Sequence, residues 1–330
     1  MKKTLYIFQN GNLRRKDQTL RLETEEGNKY IPVEDTQEIL IFGEVDFNKR
    51  LLEFLSQKEI ILHIFNHYGY YAGSFYPREH LNSGYMILKQ AMSYQDEAKR
   101  MELAKSFING AVHNILQVMK YYQNRGKNVA SIIESITPLQ EMISTSTTVE
   151  ELMALEGNIR GYYYQSFDHI LENENFTFEN RSKQPPKNEM NALVSFGNTM
   201  LYTAVLSEIY KTHLDPRIGF LHATNFRRFT LNLDVAEVFK PVLVDRLIFS
   251  LVAKKMITMK DFDRRAGGTF LTDRGKKVFI TEWDKRLKTT FKHRDLGRSV
   301  SNRRLIRLEL YKLQKHLIEE KNYVPYKAKW

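Results

Sequence analysis

The residues of this sequence best suited to catalysis are one histidine and three carboxylates in the second half of the chain. Glu156 opens the segment EGNIR, His222 closes DPRIGFLH, and Asp234 and Glu237 lie three apart in LDVAEVFKP. Oxygen ligands with one imidazole suit Mg²⁺ or Mn²⁺ better than Zn²⁺. A divalent ion held in this way activates a hydroxyl and stabilises charge on phosphorus. The set therefore indicates phosphoryl-transfer chemistry on a polyanion.

Each of these residues also has a purely structural interpretation. Glu156 and Arg160 have the i, i+4 spacing of a surface ion pair worth ~0.2–0.5 kcal/mol. Acidic residues are favoured in the first turn of a helix, which explains Asp234 better than Glu237. His222 follows two apolar residues and also fits a hydrogen-bonded packing position. Spacing alone does not bring Glu156 next to His222, so both interpretations stay open at this point.

The helix expected around Glu156 has a distinctive face. Two threonines precede it, each three residues before a glutamate (147/150 and 148/151), as in a capping box. Gly157 and Gly161 are four apart, so one face lacks side chains and admits either a ligand or a closely packed helix. The residues beside that face, at i, i+4 and i+7, are Glu156, Arg160 and Tyr163.

Basic charge is concentrated in one part of the chain. The net charge is +11, and residues 254–315 alone hold 19 basic and 7 acidic side chains, which leaves −1 for the rest. A polyanion is the obvious partner, because neutralising phosphates releases condensed counterions. A solvated basic helical face is the alternative. The basic residues are spread too widely for a single membrane-surface helix.

Composition excludes several kinds of site and location. The chain has no cysteine, which excludes disulfides, thiolate zinc sites, iron–sulfur clusters and a cysteine nucleophile, and suits a reducing, cytoplasmic compartment. The first apolar stretch stops at Gln9, short of the ~7–15 apolar residues of a signal peptide. No window approaches the ~18 uninterrupted apolar residues of a membrane span. We expect a soluble cytoplasmic protein without membrane contact.

The hydrophobic pattern of the sequence changes from strand-like to helical after about eighty residues, which predicts two domains. Residues 1–80 contain six short strand-like runs separated by turn signals, with one helix near 48–57. From Gly84 onward, apolar residues recur at three- and four-residue spacing. The predicted fold is α+β, with a small sandwich-like N-terminal β domain (1–80) and a large all-α catalytic domain (81–330). The six runs are TLYIF, TLRLET, NKYIPV, EILIF, IILHIF and YYAGSF.

Turn signals also divide the helical part. The paired prolines of RSKQPPKNE (181–189) and the segment LDPRIGF (214–220) predict loops between helices. Gly267 and Gly268 separate DFDRR from TFLTD, which predicts a hairpin. The stretch 298–321 returns to helical periodicity.

Several motifs in a fixed order resemble those of a known family. They are EGNIR, RSKQPPKNEMNALVSFGNTMLY (181–202), DPRIGFLH (215–222), LNLDVAEVFKPVLVDR (231–246) and the GGTFLTDRGKK hairpin. Together they resemble the CRISPR-associated integrase of spacer acquisition, over nearly the whole chain. That family also begins with a β domain and continues into a helical catalytic domain.

The resemblance implies roles for individual residues. It implies one Mg²⁺ or Mn²⁺ ion held by Glu156, His222 and Glu237, with Asp234 as a nearby supporting or water-mediated group. Lys240, before the proline of FKP, is expected to reach DNA phosphate. The remaining residues expected to contact DNA are Arg160, Tyr163, Arg303, Arg304 and Arg307.

The resemblance also implies an activity and partners. The expected reaction is attack by the 3′ hydroxyl of a short captured duplex on a phosphodiester at a repeat boundary, without a covalent enzyme intermediate; water in its place gives endonuclease cleavage. The expected assembly is a homodimer paired through its β domains, with a dimer of a small ferredoxin-like adaptation partner and double-stranded or branched DNA. The alternative is a non-catalytic architectural DNA-binding subunit.

Overall fold

The computed structural model describes residues 2–78, 81, 83–224, 229–293 and 296–329. The chain divides into two compact units, Met1–His80 and Leu81–Trp330. Among the described residues, no helix is long and apolar enough to cross a membrane.

The described residues of the first unit, 2–78, form eight strands and one helix. The six predicted runs all form strands; Gly11–Lys16 and Val45–Phe47 are additional ones. The helix begins after Asn48, whose side chain accepts a hydrogen bond from the Leu51 N–H. The elements are β1 Lys3–Ile7, β2 Gly11–Lys16, β3 Thr19–Thr24, β4 Gly27–Pro32, β5 Thr36–Ile41, β6 Val45–Phe47, α1 Lys49–Gln57, β7 Ile61–Phe65 and β8 Tyr71–Phe75.

These strands form two four-stranded sheets around one core. The first has the order β1-β5-β7-β8, and the second β4-β3-β2-β6. Strand β2 was missed because Leu13 is its one apolar residue, yet Leu13 is completely buried. It shares a core with Leu22, Ile39 and Leu62 of the strands and Phe54 of α1. The prediction of a sandwich-like β domain is confirmed.

The second unit is mainly helical, as predicted, and carries two short hairpins. Strands β9 and β10 pair across Gly267, whose φ of +69° favours glycine, and this confirms the predicted hairpin. The pair β11 and β12 was not predicted. The elements are α2 Gly84–Gln95, α3 Glu97–Gln123, α4 Ala130–Thr145, α5 Val149–Leu171, α6 Glu189–Ile209, α7 Leu231–Phe239, α8 Arg246–Ala253, β9 Phe262–Arg265, β10 Gly268–Leu271, α9 Asp273–Lys288, β11 Thr290–Lys292, β12 Ser299–Ser301 and α10 Asn302–Leu317.

Helix α7 lies in the core of this unit. It packs against α3 and α6, and α6 is itself buried along nearly its whole length. The carboxylates of Asp234 and Glu237 on α7 are therefore buried as well. Buried carboxylates need compensating partners, and these define the site.

The junction between α7 and α8 departs from regular helix. Residues Lys240–Asp245 form a π-helical turn that contains Pro241. Proline has no N–H, so it cannot donate to the carbonyl four residues earlier, that of Glu237. Single π-turns of this kind are frequent at functional sites.

Candidate functional site

Helix α5 presents Glu156 as the sequence predicted. Thr148 and Glu151 form a capping box at its start. The Glu156 side chain is 19% exposed and accepts a hydrogen bond from Arg160 Nε at 3.0 Å. The i, i+4 pair is thus present, but Arg160 has a second partner.

Arg160 links two helices. Its Nη2 donates to Glu237 Oε2 on α7 at 2.6 Å while Nε bonds Glu156 on α5. One guanidinium therefore bridges two carboxylates that are 81 residues apart in sequence. Glu156 and Glu237 lie within reach of a single cation, which spacing alone did not predict.

Glu237 is held as a carboxylate by two cations. It is buried and also accepts a hydrogen bond from Lys240 Nζ, one turn later on the chain. Burial on its own would raise the pKa of Glu237, but the charges of Lys240 and Arg160 lower it to about 2. An ionised carboxylate is the form that ligates a metal.

Asp234 fixes the position of His222. Its Oδ1 accepts from His222 Nδ1 at 2.8 Å and from the His222 backbone N–H at 2.9 Å. Its Oδ2 accepts from the backbone N–H groups of Phe220, at 2.5 Å, and Leu221, at 3.0 Å. Asp234 is completely buried, so a side-chain hydrogen bond and three backbone hydrogen bonds together anchor the GFLH segment onto α7.

Gly219 makes this anchoring possible. A Cβ at that position would lie 2.7 Å from Asp234 Oδ2 and 2.8 Å from the Thr230 carbonyl carbon. Any other residue would push the GFLH segment away from α7, so the glycine of the motif is a steric requirement.

The protonation of His222 follows from the same contact. Burial lowers the pKa of His222, but the hydrogen bond and charge of Asp234, with the charge of Glu237, raise it overall. When Nδ1 donates to Asp234 in the neutral ring, Nε2 carries the lone pair. This carboxylate–histidine arrangement is typical of metal-binding histidines.

The donor set fits a divalent cation. Among the described residues, no three His, Asp or Glu side chains lie close enough to hold a metal as they stand. Glu237 instead pairs with both Arg160 and Lys240, and Glu156 pairs with Arg160. Oxygen ligands that share one cation, together with an imidazole whose Nε2 carries the lone pair, suit Mg²⁺ or Mn²⁺.

Three further residues near the site were not identified as functional from the sequence. The loop residue Lys183 interacts electrostatically with Glu156 and Glu237, and burial with the charges of Arg181 and Lys240 lowers its pKa. The Lys240 ammonium lies 5.1 Å from the centroid of the Tyr202 ring. Lys183 lies in RSKQPPKNE, whose prolines predicted only a loop. Tyr202 is the last residue of the longer segment 181–202, and no spacing or motif there indicated that it is functional.

The third residue is Asp245, at the end of the π-turn. It is buried, and burial raises its pKa to about 6 despite the charge of Arg160. The charge of Arg160 and a hydrogen bond from the Tyr163 hydroxyl act against the effect of burial and lower the pKa of Asp245. In the sequence, Asp245 stands in a DR pair directly after FKPVLV. No hydrophobic periodicity or motif spacing indicated that this aspartate is functional.

Two residues expected to contact DNA are core residues. Tyr163 is completely buried and packs edge-to-face on Phe167, with the two ring centroids 5.2 Å apart. Arg160 is buried between the two glutamates. Burial therefore argues against direct DNA contact by Tyr163, whereas 8% of the Arg160 side chain stays exposed beside Glu156, and both expected contacts stay predictions. Lys240 is buried too, but its ammonium lies at the site.

The arginines of α10 also differ from expectation. Arg303 Nε and Arg307 Nε donate to the two oxygens of the completely buried Glu208, at 2.8 and 2.5 Å. These two arginines hold α10 against α6, so they have a structural role, and their expected contact with DNA stays a prediction. Arg304 is half-buried and packs over Tyr311. Arg304 remains a candidate DNA contact, and so does Arg307, whose side chain is 23% exposed.

The glycine face of α5 is open. Gly157 and Gly161 are exposed, and a Cβ at either position would meet no atom within 4 Å. The glycines therefore do not serve packing within this chain. The other interpretation, close approach by a ligand beside Glu156, is the one that the geometry favours.

Comparisons with known proteins point to one family. The family described as CRISPR associated protein Cas1 matches residues 5–285. The chain is 62% identical over 330 residues to the CRISPR-associated endonuclease Cas1 2 of Thermodesulfovibrio yellowstonii, covering 100% of both chains. The structure of TM1797, a Cas1 protein from Thermotoga maritima, matches with a TM-score of 0.89 and 48% identity, covering 97% of this chain and 98% of that one.

A more distant structure shares the fold. A chain in a Cas6-RT-Cas1–Cas2 complex matches with a TM-score of 0.85 and 18% identity, over 100% of this chain and 36% of that longer one. At this identity the match concerns the fold only.

Proposed function

The chain belongs to the Cas1 family of CRISPR-associated endonucleases, and from that premise we propose that Glu156, His222 and Glu237 hold the metal ion with which it cuts and joins DNA. It is a DNA endonuclease and integrase of the CRISPR adaptation system, which inserts short foreign DNA into the CRISPR array. The assignment of residues to roles is our proposal, and the structure supports it through the contacts of Arg160 and Asp234.

The proposed reaction is a transesterification. The 3′ hydroxyl of the captured DNA attacks a phosphodiester at the repeat boundary and displaces the 3′ oxygen of the adjoining nucleotide. Glu156, His222 and Glu237 would hold a Mg²⁺ or Mn²⁺ ion, which would polarise the attacked phosphate and favour the ionised hydroxyl. Water as the attacking group gives cleavage instead.

The residues of the chain prepare this reaction. Asp234 keeps the proton of His222 on Nδ1, which leaves Nε2 as a ligand. Glu156 and Glu237 supply the two carboxylates. Lys240 holds a positive charge beside Glu237, and we place this ammonium against the phosphate oxygens once it leaves that carboxylate. We expect Lys240 to affect turnover more than DNA affinity.

One observation carries the proposal: Arg160 already joins Glu156 and Glu237 through a single cationic group. A divalent ion has the charge to replace it between the same oxygens. The sequence motifs alone place these glutamates on different helices.

Strand transfer on branched DNA with Mn²⁺ tests the proposal. Glu156→Gln keeps the size of the side chain and removes the anionic ligand, so we expect activity to be lost while DNA binding stays. Glu150→Gln, an exposed residue at the start of the same helix, is the matched control and keeps activity. Wild-type protein that binds DNA without metal-stimulated strand transfer would favour the architectural alternative.

Partners are also proposed. We propose a homodimer that forms through the β domain, since β4 is a sheet edge whose residues are mostly exposed, with Tyr30 at 59%. Membership of the family leads us to propose a second partner as well, a dimer of the small ferredoxin-like adaptation protein. Size-exclusion chromatography with light scattering, with and without that protein, tests both.

A further inference from the structure

An extended segment, residues 322–329, follows α10 and lies against α3. Tyr323 and Ala328 within it are buried. Gly110 of α3 lies under Pro325, and a Cβ there would come within 2.7 Å of the proline ring. The segment is therefore packed closely against the helix.

Side chains of α10 and of α3 fasten the segment. Glu309 of α10 accepts hydrogen bonds at Oε1 from the Tyr323 hydroxyl at 2.7 Å and from the Tyr326 N–H at 2.8 Å. Further along, Gln117 Nε2 of α3 donates to the Ala328 carbonyl at 3.3 Å, and His113 Nε2 of the same helix lies 3.3 Å from that oxygen as well. These contacts hold the segment but do not touch α7.

Asn114 of α3 connects the segment to the helix that bears Glu237. Its Nδ2 donates to the Val238 carbonyl at 2.8 Å and to the Tyr326 carbonyl at 3.1 Å. Its Oδ1 accepts from the Ala328 N–H at 2.7 Å. Asn114 is completely buried, and no other residue type of this size offers both donors and an acceptor.

A second contact joins the same elements. The rings of Tyr326 and Phe239 stack, with centroids 5.8 Å apart and planes 17° apart. Val238 and Phe239 are the two residues that directly follow Glu237. The segment therefore meets α7 at the residues next to a proposed metal ligand.

This part of α7 needs outside support. Pro241 has no N–H for the Glu237 carbonyl, and the helix continues as a π-turn, in which the Arg246 N–H bonds the Pro241 carbonyl. The regular ladder of hydrogen bonds is thus interrupted where Glu237 must be held. The amide of Asn114 supplies a hydrogen bond from another helix at this place.

We propose that Asn114 is a positioning residue for the metal ligand Glu237, and that residues 322–329 brace it through Tyr326 and Ala328. This inference rests on the proposed function, because it concerns the same metal site. Asn114 touches neither metal nor DNA in this scheme; it acts by fixing the backbone after Glu237.

The test uses the full-length chain and Mn²⁺ as the probe. Asn114→Asp keeps the size of the side chain and the acceptor for Ala328, but places an oxygen against the carbonyls of Val238 and Tyr326. Outer groups that orient metal ligands typically change affinity about 10–100-fold. We expect Mn²⁺ affinity, measured by electron paramagnetic resonance, to fall by about this factor, and amides 238–245 to exchange faster in metal-free protein.

Kinetics separate positioning from a general structural role. In Asn114→Asp, the Mn²⁺ concentration for half-maximal strand transfer should rise by the same factor, with KM for DNA unchanged. Gln117→Ala is the matched control, since it loosens the same segment from the same helix without a contact to α7. It should leave Mn²⁺ affinity within about twofold of the wild type.

A second pair of variants applies if Asn114→Asp does not fold. Tyr326→Phe keeps the ring on Phe239 and should bind Mn²⁺ normally, whereas Tyr326→Ser should bind it more weakly. Equal Mn²⁺ affinity in folded Asn114→Asp and wild type, or an equal loss in Gln117→Ala, overturns the inference. Glu237→Gln shows whether such a result concerns the metal site or only Asn114. If Glu237→Gln also binds Mn²⁺ normally, the proposed metal site is wrong. If Glu237→Gln binds Mn²⁺ more weakly, the site stands and only the positioning role of Asn114 is wrong.

Discussion

Arg160 and Glu237 form a buried ion pair between two helices, with Nη2 and Oε2 2.6 Å apart. The arginine side chain is 8% exposed and the glutamate 5%. The pair brings α5 and α7 together at the residues proposed to bind metal. It also gives the two residues a role in stability, which shapes the first prediction.

Removing Glu237 should affect both activity and stability. Glu237→Ala removes a proposed ligand and leaves Arg160 and Lys240 without their shared buried counter-charge. We expect no detectable strand transfer and a loss of about 3–5 kcal/mol in the free energy of unfolding. Glu156→Ala and His222→Ala should abolish activity too, but with smaller losses in urea denaturation, since Arg160 keeps Glu237. Activity retained in two of the three variants would rule out the ligand set.

Replacing Asp234 should lower strand transfer less than replacing a proposed metal ligand, and it should loosen the segment 219–222. Asp234→Asn keeps one acceptor oxygen but turns an NH₂ group toward N–H donors of the 220–222 segment. We expect strand transfer to fall about 10–100-fold rather than to vanish. Amide exchange of residues 219–222 should speed up as well. If Asp234→Asn were inactive and Glu237→Gln active, the roles of the two carboxylates would have to be exchanged.

The open glycines of α5 allow stability and DNA binding to be separated. Alanine at Gly157 and Gly161 meets no neighbouring atom, so each change should stabilise the helix by roughly 0.5–1 kcal/mol. If DNA backbone approaches this face, the same double variant should bind branched DNA more weakly, as measured by fluorescence anisotropy. Gly84→Ala, at the start of α2 and equally unobstructed, is the control. A stabilised protein with unchanged DNA affinity would show that this face stays free.

Glu208 predicts a pH dependence of stability. Burial alone would raise its pKa, but Lys211, Arg303 and Arg307 lower it to about 2. Because the folded pKa lies below the unfolded value of 4.5, the stabilisation is present above pH 4.5 and is lost as pH falls toward 2. The advantage of wild type over Glu208→Gln in urea denaturation should shrink by about 3 kcal/mol over that range. A constant difference would contradict the ion-pair network.

Charge reversal in α10 should separate structure from DNA binding. Arg303→Glu and Arg307→Glu each place a second carboxylate against Glu208 and should destabilise the fold by several kcal/mol, on the order of 3–5. Arg304→Glu should fold normally. If Arg304 contacts a phosphate, its reversal lowers the slope of log affinity against log salt by about one. An unchanged slope would identify it as a solvated residue.

The β domain should fold and pair without the rest of the chain. Residues 1–80 form one compact unit with its own core of two sheets and α1. Its edge strand β4 is open to pairing, so we expect a dimer by light scattering, without nuclease activity. A folded monomer at high micromolar concentration would place the dimer interface elsewhere.

Local patterns were sufficient for much of the architecture. Alternating apolar residues predicted six strands, and the threonine–glutamate spacing predicted the start of α5, because hydrogen bonds and side-chain period act over a few residues. Strand β2 could not be predicted in this way. Leu13 is its one apolar residue, and its place in the sheet depends on pairing with β3 and β6.

The residue types and motif order identified the candidate site and the family. They did not show how the site is held together. Arg160 and Tyr163 share a helix face with Glu156, and from the sequence that face could equally meet DNA or α7. Only packing of α5 on its neighbours made both residues core residues and gave Arg160 its second carboxylate.

The same reason applies at larger distances. Arg303 and Arg307 lie in a basic run, and their shared partner Glu208 lies more than ninety positions earlier. Asn114 meets Val238 and Ala328 across 124 and 214 positions. The sequence determines which charges, which hydrogen-bond donors and which hydrophobic periodicities are available. Which of them meet is decided when helices pack, because burial forces each polar group to find a partner from whatever element lies opposite.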